Sequence, residues 1–118
     1  MGSKWYSVVL DCADPIAQAN FWAAVLGYDI VFSTPTEVVI AKPDHSNPGM
    51  VFVPAPEGKE VKNRLHVDLN PDDQTAEVER LIGLGARRID IGQGDVSWVV
   101  LADPEGNEFC VLGRRADV

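Results

Sequence analysis

The sequence predicts an α+β fold: two tandem βαβββ modules whose curled mixed sheets surround a concave cavity, with the helices outside. Three observations predict it. Runs rich in β-forming residues and helical patterns follow one another in the same order twice. Landmarks repeat at nearly fixed offsets: Asp11 and Asp68 precede the two helices 57 positions apart, and Leu26-Gly27 and Leu84-Gly85 end them 58 positions apart. One polar stretch, rich in proline and glycine, separates the copies.

Residues 5–12 (WYSVVLDC) read as the first strand. Asp14-Pro15 supplies an N-cap and a proline at the first helical position, and Ile16, Ala19, Trp22, Ala23 and Leu26 follow at helical spacing. Gly27 stops the helix. Strands are expected at 29–33, 37–42 and 50–54, divided by Pro35 and by the turn residues of 43–49. Module 1 therefore covers about 5–54, the linker about 55–63 and module 2 about 64–113, within one domain spanning 1–118. In module 2, residues 64–69 read as a strand and Asn70-Pro71 as cap and N1 proline. A helix with Val78, Leu81 and Ile82 on one face ends near Gly85, and strands follow at 87–91, 96–102 and 108–112. Three successive strands joined by short turns favour antiparallel pairing, because a parallel crossover needs about a dozen residues.

Bulk properties bound the function. The 118 residues and 46% apolar content suit one globular domain. A net charge of −8 argues against a nucleic-acid partner. No apolar run is long enough to span a membrane, and the first residues lack a signal-peptide pattern, so a cytoplasmic location is expected. Cys12 and Cys110 have no zinc-motif spacing and read as free thiols.

Strand alternation sorts the side chains. Val8, Leu10 and Cys12 oppose Ser7, Val9 and Asp11; Leu65, Val67 and Leu69 oppose Arg64, His66, Asp68 and Asn70; Phe109 and Val111 oppose Glu108, Cys110 and Leu112. The wholly apolar faces should pack under the helices. The mixed faces either meet solvent or line a ligand cavity, and alternation alone favours neither.

The combination of Asp14-Pro15, Phe21-Trp22, Leu26-Gly27-Tyr28, Leu65-His66-Val67-Asp68 and Asp103-Pro104-Glu105-Gly106-Asn107 resembles the vicinal oxygen chelate superfamily. That superfamily includes glyoxalase I, bleomycin-resistance proteins, fosfomycin-resistance enzymes and extradiol dioxygenases. Lys62-Asn63-Arg64 and Glu108-Phe109-Cys110-Val111, with Phe21-Trp22, look like a glyoxalase-like branch common in actinobacteria. The resemblance implies a ligand cavity, and a homodimer in which paired chains complete each site. In metal-using members, His or Glu ligands come from the first, fifth and last strands. These positions fall on Ser7, His66 and Cys110, so one of three matches. Serine is a poor ligand and a thiol suits softer ions than Mg²⁺, Mn²⁺ or Fe²⁺.

The candidate ligand-binding residues are Ser7, Asp11, His66, Asp68, Trp98, Glu108 and Cys110. His66 is a cavity or proton-transfer group, or else a hydrogen-bonded structural histidine. Asp11 and Asp68 are cavity groups or donors' partners near the helix starts. Cys110 reads as a small buried residue, a nucleophile only if its pKa is lowered. Trp98 stacks on a planar ligand or belongs to the core. The leading expectation is a small-molecule-binding protein without cofactor. The alternative is a lyase, isomerase or dioxygenase using a divalent metal at a shifted site of His66, Cys110 and Asp11. A structural or partner-binding module is a third reading.

Overall fold

The computed structural model describes residues 2–116. Contacts divide the chain between Gly58 and Lys59 into two compact units, each with one helix and one four-stranded mixed sheet.

In the first unit, β1 (Ser7–Cys12) leads to α1 (Pro15–Leu26), and β2 (Asp29–Thr34), β3 (Glu37–Ala41) and β4 (Gly49–Pro54) follow. The sheet order is β1-β4-β3-β2. The β2-β3-β4 meander is antiparallel, whereas β1 pairs in parallel with β4, Val9 opposite Val51. This is the geometry that short turns and one helical crossover permit. Asp14 caps α1, its Oδ1 accepting from the Ala17 backbone N–H at 3.2 Å, and Gly27 closes it with φ +68°. That left-handed conformation is easy only for glycine.

Gln18, Ala19, Phe21, Trp22 and Val25 form the buried face of α1, with Phe21 and Trp22 in edge contact at 5.3 Å. Ile16, expected on this face, is exposed. Six residues at 100° each set Ile16 roughly 120° round the helix from Trp22, so burying the larger indole turns the isoleucine outward. Beneath the helix lie Val38, Ile40, Met50 and Phe52 of β3 and β4, all buried.

The second unit repeats the plan with shorter strands: β5 (Val67–Leu69), α2 (Gln74–Leu84), β6 (Arg87–Arg88), β7 (Val99–Ala102) and β8 (Glu108–Val111), in sheet order β5-β8-β7-β6. Here β5 runs parallel to β8 and the other pairs are antiparallel. Val78 and Leu81 of α2 are buried together with Phe109 and Val111, while Ile82 is largely exposed.

Further expectations fail. Asn70-Pro71 does not cap α2; Asp73 does, accepting from the Ala76 N–H at 3.1 Å. Asn70 is engaged elsewhere: its side chain accepts from the Arg115 N–H at 2.9 Å and donates to the Arg115 carbonyl at 3.1 Å. The apolar strand faces are also less covered than alternation implies. Leu65 precedes the short β5 and is 87% exposed, and in β1 Val8 is 36% exposed. On β8 both faces are buried, because the strand lies between β5 and β7 and carries the linker over its first residue.

Candidate functional site

The turn Asp103-Pro104-Glu105-Gly106-Asn107 sets the start of β8. Asp103 is fully buried, and its carboxylate accepts from the backbone N–H groups of Glu105 and Asn107, both at 2.9 Å, and from the Asn107 side chain. Gly106 takes φ +90°, which lets the chain reverse into β8.

From that turn, β8 presents Glu108 and Cys110 to the same face. Register carries the face across the sheet: Cys110 stands beside Asp68 on β5 and Val100 on β7, and Glu108 stands beside Ala102, itself opposite Arg87 on β6. His66 directly precedes β5, two residues from Asp68. Three of the expected site residues therefore converge. One ligand atom each from His66, Asp68 and Cys110 lies within 4.8 Å of the others, and His66 Nε2 is 3.1 Å from Asp68 Oδ1. The imidazole and carboxylate are open to solvent, whereas Cys110 is buried.

The electrostatics of this cluster are asymmetric. Burial pushes the Cys110 thiol up, and the neighbouring Asp68 charge, together with a hydrogen bond from the thiol to that carboxylate, pushes it further. Cys110 is thus a neutral thiol at pH 7, the opposite of an activated nucleophile.

Glu108 has another task. Its carboxylate pairs with Lys59 and accepts the Asn63 backbone N–H at 3.0 Å, while the Asn63 side chain donates to Asn107 at 2.8 Å. Burial alone would raise the Glu108 pKa, but the Lys59 and Asn63 hydrogen bonds outweigh it and hold the carboxyl below its ordinary value. Glu108 fastens residues 59–63 to the sheet. Sequence reading missed Lys59 as its partner; the linker holds two lysines, Lys59 and Lys62, and nothing local distinguishes them.

Trp98 is 40% exposed and lines a cavity of about 330 Å³ with Ile89 and Val100. A larger cavity of about 480 Å³ is walled by Lys59, Arg87, Ile89, Ala102 and Glu108. Ser7 and Asp11 lie on β1 in the first unit, Ser7 half-buried and Asp11 exposed. The carboxylate that the second unit itself brings to His66 and Cys110 is Asp68.

The model of the glyoxalase-like domain family matches residues 7–112. The chain belongs to that family. The glyoxalase-like chain is similar to a glyoxalase/bleomycin resistance protein/dioxygenase family enzyme from Burkholderia phytofirmans PsJN, at 20% identity and a TM-score of 0.69, over 92% of this chain and 97% of that one. It is similar to a glyoxalase-related enzyme from Fulvimarina pelagi at 16% identity and a TM-score of 0.68, over 94% and 88%. A third likeness is to the fosfomycin resistance protein FosX from Listeria monocytogenes, described in complex with Mn(II) and 1S,2S-dihydroxypropylphosphonic acid. Its identity is 13% and its TM-score 0.70, over 98% and 93%. At these identities the likenesses establish the fold. No curated protein matches the sequence significantly.

The donor set tests the metal chemistry that such a fold can carry. Mg²⁺, Mn²⁺ and Fe²⁺ favour carboxylate, imidazole and water, and a buried thiol with a raised pKa does not fit them. One imidazole, one carboxylate and one thiol do fit a thiophilic ion such as Zn²⁺.

Proposed function

We propose that this glyoxalase-like chain binds an organic small molecule on the polar face of the β5-β8-β7-β6 sheet, without a resident hard divalent metal. The observation that carries this reading is the convergence of His66, Asp68 and Cys110 on the face that also presents Glu108 and Ala102, two residues of the larger cavity's wall. Concave sites with convergent polar groups are where small ligands bind. His66 and Asp68 provide accessible polar contacts, and the neutral Cys110 thiol supplies a weak donor beside them. In the same reading Trp98 offers a stacking surface.

A second reading is favoured by the spacing of the donor atoms. A thiophilic ion would draw on His66, Asp68 and Cys110, and would supply Lewis acidity for a lyase, isomerase or dioxygenase reaction. Metal analysis of protein purified without chelator separates the two. The first reading predicts substoichiometric metal in the wild type; one equivalent of zinc, lost in His66→Ala and Cys110→Ser, would establish the second.

The reading extends to assembly and place. Phe32 and Val31 of the edge strand β2, and Val9 of β1, are exposed apolar groups suited to pairing with a second copy of the chain. Both cysteines are free thiols, which suits a reducing cytoplasm. The net charge of −8 favours neither nucleic acid nor an anionic membrane surface as a partner. Among the described residues no helix is long and apolar enough to cross a membrane.

A further inference from the structure

One cation of the ligand face, Arg87, has no role in anything derived above. Arg87 lines the larger cavity, and among the described residues it makes no ion pair or hydrogen bond, in contrast to Lys59 and Arg80, which are both paired to carboxylates. Register places Arg87 opposite Ala102, which is opposite Glu108, so the guanidinium starts from the same face as Cys110. Two strand spacings and two residues of rise separate Arg87 from Cys110, about 12 Å between Cα atoms. Ile89 and Asp90 belong to the walls of both cavities, so the larger one adjoins the smaller one, which Trp98 lines.

Among the described residues none of the nearby carboxylates forms an ion pair with Arg87. Glu108 is neutralised by Lys59 and the Asn63 N–H, and Asp90 accepts the Gly92 N–H at 2.7 Å. Glu105 lines the same cavity from the turn before β8 and is the remaining acidic group there. The wall is mostly polar, and Ile89, Ile91, Ala102 and Pro104 are its apolar residues.

We infer that the ligand of this face is a planar organic anion, its carboxylate or comparable oxyanion held by Arg87 and its ring against Trp98 and Ile89. This rests on the reading that the second sheet's polar face is the binding site, and it names the ligand class. A guanidinium offers two parallel N–H donors that match a carboxylate, which a neutral isostere cannot exploit. An indole face supplies the apolar and stacking contact for the ring.

The probes are 2-naphthoate and its neutral analogue 2-naphthamide, titrated calorimetrically into the full chain. The wild type should bind the acid at least about tenfold more tightly than the amide, a difference near 1.4 kcal/mol. Arg87→Gln should equalise the two, Trp98→Ala should weaken both, and Arg114→Gln, which removes the same charge at an exposed residue outside both cavities, should leave the preference intact. Equal binding of acid and amide to the wild type overturns the anion inference and spares the binding-face reading. So does an acid preference that survives Arg87→Gln or disappears with Arg114→Gln. Failure of both probes to bind overturns the inference and counts against the binding face as well.

Discussion

Asp68 acts on two neighbours at once: it lies 3.1 Å from the His66 imidazole and holds the proton on the Cys110 thiol. Removing its charge should lower the Cys110 pKa part of the way back, because burial, the largest cause of the shift, remains. Asp68→Asn should therefore speed iodoacetamide labelling of Cys110 several-fold at pH 8, read by mass spectrometry. An unchanged rate would remove Asp68 from the account of the thiol. Glu108 gives a pH prediction of definite sign. Its pKa is depressed in the folded chain, so its contribution to stability is full above the unfolded carboxylate value and fades as pH falls through the folded one. Glu108→Gln should lose about 1–3 kcal/mol in urea unfolding at pH 7, since it leaves buried donors poorly matched. The gap to wild type should shrink as the solution is acidified below the ordinary carboxylate range. These partnerships were only partly legible in the sequence. Alternation put His66 with Asp68 and Glu108 with Cys110, but nothing local records that β5 lies against β8 in this register, some 40 residues along the chain. The Lys59–Glu108 pair, 49 residues apart, is similarly silent.

At the scale of elements, α1 was readable from end to end because its signals are all local: Asp14 at the cap, Pro15 at the first turn, Gly27 in the left-handed exit. Its start matches the expectation to the residue. For α2 the same rule misled. The chain offers Asn70, Asp72 and Asp73 as caps, and the choice among them is made by Asn70's two hydrogen bonds to Arg115, a tertiary contact. Asp73→Ala should accordingly cost about 1 kcal/mol in chemical denaturation, while Asp72→Ala, at an exposed residue, should change little. The reverse order would move the cap to Asp72. The strands of the second unit were predicted too long for a related reason. Arg64, Leu65, Asp90 and Ile91 lie outside the ladders, and Ile89 keeps only one bond to β7, its N–H donating to the Val100 carbonyl at 3.2 Å.

At the scale of the whole chain, the repeated βαβββ order was legible because each copy carries its own punctuation, and the family model over residues 7–112 agrees with it. Which side chains would gather was less legible: the expected metal alternative drew on Asp11, whereas the second unit supplies Asp68 from within itself. Exposed apolar groups on β1 and β2 lead to a prediction about assembly. The chain should sediment as a dimer at micromolar concentration, and Phe32→Asp should shift it to monomer; a monomeric wild type would contradict the pairing. The central claim is that the polar face of the second sheet takes an organic ligand without help from a metal. Its most direct test is the amide shift map of the metal-free, isotope-labelled chain titrated with a panel of small aromatic and acidic fragments. The account predicts perturbations centred on His66, Asp68 and Cys110 that are lost in His66→Ala. Perturbations that map elsewhere, or binding that begins only after one equivalent of zinc is added, would contradict it.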